Sequence, residues 1–172
     1  MISWICFEWK TAGLPPAGPP IAPMAVRPAE KEDREDVLRT ISSTFTIDST
    51  WGDVSREMLQ KTDEAIELAF DEVPPTCLVL LHGTRIVGAS AMTTNPDAEN
   101  HLLTGPCILH EYRNRGLGCG LLYASLTFLR DRQIDVVRGI TRANTTASRF
   151  VYPRFGGTGT PIPHRPKNEN PA

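Results

Sequence analysis

The spacing of apolar residues in the first half of the chain predicts two amphipathic helices. The first runs from Glu30 to about Phe45, and acidic residues crowd its first turn, where the helix dipole favours them. The second begins with Ser55 as N-cap and ends before Pro74-Pro75. The apolar positions that define the two helical faces are Val37, Leu38, Ile41 and Phe45 in the first, and Met58, Leu59, Ala65, Ile66, Ala69 and Phe70 in the second.

Shorter apolar runs in the second half predict strands around one further long helix. The stretch CLVLLHGTRIVGASAMTT reads as a hairpin that turns at residues 82–84, and HLLTGPCIL predicts a third strand ending at Leu109. A helix from about Gly118 to Arg132, a strand at 136–141 and a short helix at 144–152 follow. With a short strand near Val26, the predicted order β-α-α-β-β-β-α-β-α indicates one mixed α/β domain.

Both ends of the chain differ in composition from this domain. The stretch LPPAGPPIAP favours extended, polyproline-like backbone, so residues 1–23 are predicted to be a flexible arm or an upstream extension of the reading frame. Met24 then opens the folded domain, which is expected to cover residues 24–157. The remaining residues, 158–172, form a polar, proline-rich tail that is too polar for two paired strands.

Charge is distributed unevenly although the net charge is only −2. Residues 46–100 carry 3 basic and 10 acidic side chains, a balance of −7, whereas residues 101–172 carry 10 and 4, a balance of +6. One region therefore suits a cation and another an anion, and neither nucleic acid nor a membrane is the expected partner. No apolar run approaches the roughly 20 residues needed to span a bilayer. The four cysteines show no metal-ligand spacing, which favours reduced thiols in a cytoplasmic protein without a metal site.

A glycine-rich loop, YRNRGLGCG at residues 112–120, leads directly into the third long helix. A nucleotide-triphosphate loop would end in Gly-Lys-Ser/Thr, and a dinucleotide loop would have GxGxxG after the first strand; neither pattern is present. A purely structural turn would not need Arg113 and Arg115. Glycines expose successive backbone N–H groups and the helix adds its positive end, so the loop is suited to two linked phosphates.

Arg113-x-x-Gly116-x-Gly118 resembles the acetyl-CoA pyrophosphate loop of the GCN5-related N-acetyltransferase (GNAT) superfamily. Asn144-x-x-Ala147-x-x-Phe150 resembles the next helix of that family, and the similarity covers residues 24–157. Two departures stand out. The tyrosine expected seven residues after Asn144 comes one residue later, as Tyr152, so the helix contains an irregularity near Pro153 or Tyr152 points elsewhere. The family also ends in two further strands, which are expected to be missing here or completed by a second subunit.

The resemblance implies roles for particular residues around acetyl-CoA, the expected acyl donor. Backbone groups of Ile108, Leu109 and His110 would pair with the pantetheine arm, Asn144 would hydrogen-bond that arm or cap the last helix, and Tyr152 would protonate the leaving thiolate or simply pack. No general base is assigned among Glu99, His101, His110 and Glu111, and a thiol nucleophile at Cys107 or Cys119 lacks a histidine partner. The pyrophosphate would contact Arg113, Asn114, Arg115, Gly116, Leu117, Gly118, Cys119 and Gly120.

The expected function is transfer of an acetyl group to a primary amine of a small, cationic acceptor by direct attack. Two alternatives stay open: a CoA-binding sensor module without turnover, and an acetyltransferase acting on a protein or an aminoacyl-tRNA. An unpaired edge at the strand 136–141 also predicts a homodimer.

Overall fold

Two antiparallel sheets form the framework of the protein. The computed structural model describes residues 3–48 and 51–163. Within these residues the larger sheet has the order β2-β3-β4-β5 and the smaller one the order β6-β1-β7, so the mixed α/β class predicted from the sequence is confirmed. The strands are β1 (Trp4–Lys10), β2 (Ala25–Pro28), β3 (Cys77–His82), β4 (Arg85–Ala91), β5 (Cys107–Ile108), β6 (Val136–Arg142) and β7 (Thr158–Ile162), and the α-helices are α1 (Arg34–Ile47), α2 (Ser55–Asp71) and α3 (Leu117–Arg130).

Helices cover both faces of the larger sheet. Side chains alternate along β3, so Cys77 and Val79 pack under α1 and α2, while Leu78 and Leu80 pack under α3. The core beneath α1 and α2 also contains the buried face of α1 that the sequence predicts, including Val37 and Ile41. In the part of the chain that is described, no helix has the length and apolar character needed to cross a membrane.

The smaller sheet is built around the N-terminal strand. β1 pairs with β6 from Trp4 opposite Arg142 to Lys10 opposite Val136, and with β7 from Trp4 opposite Ile162 to Glu8 opposite Thr158. The prediction of a flexible arm is therefore wrong for residues 4–10. These residues are ordered because alternating aromatic side chains of β1 enter both cores.

The prediction that the C-terminal strands are missing also needs correction. β7 follows β6 in sequence and pairs with β1, so one strand of the expected pair is present and β1 lies between it and β6. The proline at position 161 is tolerated because β7 is the edge of its sheet and Pro161 faces Ile5 without a second neighbouring strand. Residues 164–172 lie outside the described part of the chain.

The proline-rich segment after β1, residues 14–23, runs along the outside of α3, and we call it the N-terminal strap. The hydroxyl of Tyr123 on α3 donates a hydrogen bond of 2.7 Å to the carbonyl of Pro15. Gly18 lies against the Tyr123 ring, and the side chain of Ile21 lies against Gly120. The strap thus connects the central strand of the smaller sheet with the helix that follows the glycine loop.

A short segment at residues 100–102 joins the end of β4 in the larger sheet to β6 in the smaller one. The backbone N–H of His101 donates to the carbonyl of Arg138 in β6 at 2.8 Å, and the carbonyl of His101 accepts from Thr93 at 3.0 Å, just beyond β4. The Asn100 side chain accepts a further bond from the N–H of Ile140 at 3.1 Å. Beyond this junction β5 and β6 are edges of different sheets, and no ladder joins them within the described residues.

Candidate functional site

β5 presents one residue whose backbone faces away from its partner strand. Leu109 donates its N–H to the carbonyl of Val87 at 2.9 Å, and Ile108 lies opposite Gly88. In an antiparallel ladder, hydrogen-bonded and non-bonded pairs alternate, so the N–H and C=O of Ile108 point away from β4, toward the open edge of the larger sheet. Of the three residues predicted to pair with a pantetheine arm, Ile108 is suitably oriented, whereas the N–H of Leu109 is already used. His110 begins an exposed 3₁₀ turn.

The glycine loop exposes a run of backbone donors at the start of α3. Asn114 and Gly116 have left-handed backbone, with φ of 63° and 74°, and α3 starts directly afterwards at Leu117. Among the described residues, no hydrogen-bond partner is seen for the backbone N–H groups of residues 114–119. Six donors and the positive end of a 14-residue helix therefore gather around one loop, an arrangement that binds phosphate oxygens.

Gly120 takes no part in this donor set. Its N–H bonds to the carbonyl of Gly116 at 3.2 Å, and a Cβ at this position would overlap the side chain of Ile21 in the N-terminal strap. The third glycine of the loop is thus explained by close packing of the strap. The sequence could not distinguish this role from phosphate binding, because the contact joins residues about a hundred positions apart.

Arg113 is held on the side of the loop that faces α1. Its Nη1 donates to Oδ2 of Asp48 at 2.8 Å, at the C-terminal end of α1, and its Nε donates to the carbonyl of Ile108 at 3.4 Å. The guanidinium therefore shares its charge with a carboxylate. This ion pair ties α1 to the loop, and Asp48 is a site residue that the sequence analysis missed.

Arg115 and Tyr112 anchor the other side of the loop. The guanidinium of Arg115 lies 5.1 Å from the centre of the Tyr112 ring and donates to the carbonyl of Glu111 at 3.2 Å. The Tyr112 hydroxyl is 2.8 Å from Nδ1 of His82, and Glu111 accepts a hydrogen bond from Arg85 at 3.0 Å. These contacts fix the loop to the turn between β3 and β4, a positioning role for Tyr112 that its place in the motif did not reveal.

The turn after β6 is capped by Thr145 and not by Asn144. The Thr145 hydroxyl accepts from the N–H of Ser148 at 3.1 Å, and the Ser148 hydroxyl accepts from the N–H of Thr145 at 3.0 Å, which forms a reciprocal cap. Asn144 has a left-handed backbone, is exposed, and accepts a hydrogen bond from Arg149 at 3.4 Å. Its side chain is accessible for a ligand.

An irregularity in the following turn changes the position of Tyr152. Residues Ala147–Val151 form a π-helical turn, in which the N–H of Tyr152 bonds to the carbonyl of Ala147 five residues earlier, at 2.8 Å. Such a turn adds one residue to a helix, so Tyr152 takes the place that a regular helix would give to residue 151. The predicted one-residue irregularity is confirmed, and Pro153, which has no N–H, follows directly.

The Tyr152 ring is buried between the two aromatic residues of β1. Its centre lies 5.5 Å from those of Phe7 and Trp9, both in edge-to-face geometry. The hydroxyl contacts Gly105, two residues before β5 begins. The side chain therefore packs in the core, and its hydroxyl group lies beside the segment that leads into β5.

The candidate bases Glu99, His101, His110 and Glu111 differ in burial and in hydrogen bonding. His101 is fully buried, with Nδ1 accepting from the N–H of Arg138 at 2.9 Å and Nε2 donating to the carbonyl of Asn95 at 3.0 Å. Burial lowers its pKa, so it is a neutral structural residue. Glu99 and His110 are exposed. The pKa of Glu111 is lowered by a hydrogen bond from the backbone N–H of Glu111 and by one from Arg85.

The buried thiols are unsuited to nucleophilic chemistry. Burial raises the pKa of Cys107 to about 11 and that of Cys77 to about 12, so both are protonated at neutral pH. Cys119 is half-buried, and its Sγ lies 3.8 Å from the carbonyl oxygen of Phe150. Across residues 3–48 and 51–163, no three metal-binding side chains converge on one point.

Comparison with known proteins identifies a family and a fold. A family model described as the acetyltransferase (GNAT) family matches residues 36–156. A GCN5-related N-acetyltransferase from Sphaerobacter thermophilus is 17% identical with a TM-score of 0.60, over 93% of this chain and 49% of the other. A GNAT acetyltransferase from Colwellia psychrerythraea is 14% identical with a TM-score of 0.57, over 94% of this chain and 54% of the other. A GCN5-related N-acetyltransferase from Kribbella flavida is 14% identical with a TM-score of 0.55, over 94% of this chain and 56% of the other. The chain spans about half the length of these solved structures, and no curated protein sequence matches it.

Proposed function

The chain belongs to the GNAT acetyltransferase family, and from this premise we propose that it transfers an acetyl group from acetyl-CoA to the primary amine of a small acceptor. The observation that carries the proposal is the loop of residues 114–119, whose six backbone N–H groups meet at the start of α3. These donors suit a pyrophosphate. Arg115 adds positive charge at the loop, while much of the Arg113 charge is offset by Asp48.

In the proposed reaction the amine nitrogen attacks the thioester carbonyl carbon directly. The C–N bond forms, the C–S bond breaks, and the departing CoA sulfur takes a proton. The N–H of Ile108, which points away from β4, polarises the carbonyl oxygen, and the hydroxyl of Tyr152, which contacts Gly105 just before β5, supplies the proton. The proton lost by the amine goes to solvent, because His101 is committed on both ring nitrogens.

We propose a cationic acceptor, as the acidic outer face of α2 favours. Its exposed acidic side chains within the helix are Glu57, Asp63, Glu67 and Asp71. Apparent affinity for such an acceptor is then expected to weaken as salt rises from 50 to 500 mM, because screening shortens the reach of exposed charge. Turnover of neutral and acidic amines alone would contradict this part of the proposal.

The late tyrosine and the missing terminal strands would favour a CoA-binding module without turnover, and both departures are smaller in the fold than in the sequence. The C-terminal strand pairs with β1, and the π-helical turn compensates for the late position of Tyr152. Release of free thiol from acetyl-CoA with a panel of amines separates an enzyme from such a module. Homodimerisation stays a prediction, although its original reason is weaker because β6 pairs with β1; light scattering at micromolar concentration tests it.

Two substitutions at Gly118 test the donor site. A Cβ at this position would lie 3.6 Å from Val151, an ordinary contact, so Gly118→Ala is expected to fold and serves as the control. Gly118→Leu places a larger side chain beside the loop. A ligand at 100 times its Kd stabilises a protein by about 2.7 kcal/mol, and Gly118→Leu is expected to lose that stabilisation by acetyl-CoA. A folded Gly118→Leu variant stabilised as strongly as the wild type would refute the donor site.

Tyr152→Phe tests the proton donor. The variant keeps the ring between Phe7 and Trp9 and removes only the hydroxyl group, so packing is retained. General acid catalysis contributes about 10²- to 10⁴-fold, and the low end is expected because a CoA thiolate is a good leaving group. We expect kcat to fall at least about tenfold with little change in the Kd of acetyl-CoA. Unchanged kcat would make Tyr152 a packing residue.

A further inference from the structure

Phe150 is an exposed aromatic residue beside the candidate donor site. Its side chain is 67% exposed, and in the described part of the chain only Ile47 and Val73 are comparable large apolar residues in water. Its neighbours in the π-helical turn behave differently, since Ser148 is buried and Val151 packs against the core beneath α3. The turn thus directs an aromatic face outward.

The position of Phe150 relative to the glycine loop is set by two contacts. The thiol of Cys119, in the first turn of α3, lies 3.8 Å from the carbonyl oxygen of Phe150. Val151, the next residue, lies 3.6 Å from the point where a Cβ on Gly118 would stand. Phe150 is therefore at the rim of the same loop whose N–H groups suit a pyrophosphate, and not on a remote surface.

We infer that Phe150 stacks on the adenine ring of the CoA donor, an inference that rests on the proposed function. In CoA the adenosine is attached directly to the pyrophosphate. A pyrophosphate held by residues 114–119 leaves the base within reach of the adjoining turn. A base offers a flat π-face, and aromatic side chains bind such faces without needing a particular hydrogen-bond pattern. The exposed Arg149 in the same turn provides a positive charge for the ribose phosphate.

Paired ligands with and without the nucleotide test this inference. Calorimetry would compare the Kd of CoA with that of 4′-phosphopantetheine, which lacks the 3′-phosphoadenosine and one phosphate of the pyrophosphate, for the wild type and for Phe150→Ala. Val73→Ala, at a site that is 95% exposed, is the matched control for loss of a surface apolar side chain. Stacking of one base on an aromatic ring corresponds to about 5- to 150-fold in affinity. Phe150→Ala is expected to raise the Kd of CoA by that factor, to leave the Kd of phosphopantetheine unchanged, and to differ in this from Val73→Ala.

Phe150→Trp adds a direct signal of stacking. The variant is expected to retain CoA affinity and to show fluorescence quenching by CoA, beyond that of the wild type, but not by phosphopantetheine. Equal loss of affinity for both ligands in Phe150→Ala would show that the residue acts through the shape of the turn and would overturn the inference. Unchanged affinity for CoA would overturn it as well. A wild-type protein that binds neither ligand would reject the proposed function itself, and the stacking role with it.

Discussion

Replacing Trp9 with alanine tests whether the N-terminal strand is part of the fold. Trp9 is fully buried at the centre of the smaller sheet, stacks on Phe7 at 6.1 Å and meets Tyr152 at 5.5 Å. Its Nε1–H donates to the carbonyl of Arg154 at 3.0 Å. A flexible arm would lose none of these interactions on substitution, whereas a central strand would lose all of them.

The expected cost follows from burial and from the lost hydrogen bond. Truncation of a buried Trp or Phe to Ala typically costs about 3–5 kcal/mol, a large part of the roughly 5–15 kcal/mol that stabilises a domain. For a protein of this size, about 1 kcal/mol lowers Tm by roughly 2–4 °C, so a fall of about 6–20 °C is expected. Trp9→Phe keeps an aromatic ring but leaves the Arg154 carbonyl unpaired, for which about 1–3 kcal/mol is expected.

Urea unfolding followed by far-UV circular dichroism provides the measurement. Lys10→Ala is the control, because Lys10 is exposed on the same strand and surface substitutions usually change stability by less than about 0.5 kcal/mol. The expected order of stability is wild type and Lys10→Ala, then Trp9→Phe, then Trp9→Ala. If Trp9→Ala unfolded at the same urea concentration as Lys10→Ala, the pairing of β1 with β6 and β7 would be refuted.

Three further predictions follow from contacts of single residues. Because the pKa of His101 is lowered in the fold, the unfolded chain binds a proton below pH 6.5 that the folded chain does not bind. The free energy of unfolding therefore falls as pH drops from 6.5 toward the folded pKa, by no more than about 1.4 kcal/mol per pH unit. Urea titrations between pH 5 and 8 should show a shallower slope for His101→Gln, and equal slopes would contradict the assignment. Gly120→Ala is expected to lower the free energy of unfolding by about 1–3 kcal/mol through overlap with Ile21, and Ile21→Ala in the same chain should recover part of that loss. Strictly additive effects of the two substitutions would show that the two residues do not make contact. Thr145→Ala should lower the free energy of unfolding by about 0.5–2 kcal/mol because it removes the reciprocal cap, whereas Asn144→Ala should have a smaller effect. Thermal unfolding measures both, and the opposite order would assign the capping role to Asn144.

The long helices could be predicted because their information is local. The apolar stripe of α1 predicts Glu30 to about Phe45 against an observed Arg34–Ile47, and the third helix is displaced by only one or two residues at each end. The hairpin of β3 and β4 turns at His82-Gly83-Thr84 as expected, because glycine there has φ of 62°. Periodicity and turn chemistry act over fewer than ten residues, so a single sequence contains them.

The smaller sheet could not be predicted because its pairings are distant. Phe7 lies opposite Gly139 and Gly159, more than 130 residues away, and nothing in WICFEWK specifies either partner. The proline-rich strap that follows made an ordered strand before it look improbable. A sequence can show that a segment is apolar enough for a strand, but it does not show which edge of which sheet receives it.

The candidate site shows the same division between local and distant information. The glycine loop and its helix are contiguous, so the sequence predicts a run of backbone donors there, whereas the role of Gly120 depends on the strap. Pyrophosphate binding by residues 114–119 stays a prediction. The late position of Tyr152 was visible in the sequence as a shift of one residue. Its direction was not, because two outcomes, a π-helical turn or a displaced side chain, fit the same spacing.

Charge counts along the sequence did not show which acidic side chains are paired with arginines in the fold. Asp48 and Asp53 both contribute to the balance of −7 in residues 46–100, but each is paired with an arginine of the basic region, Arg113 at 2.8 Å and Arg142 at 2.8 Å. The Arg142 hydrogen bond lowers the pKa of Asp53, which keeps that carboxylate ionised and bound. A cationic acceptor near these carboxylates therefore competes with a guanidinium that is already in place. The attraction proposed for a cationic acceptor therefore rests on the exposed acids of α2 and not on Asp48 or Asp53, whose charges are offset.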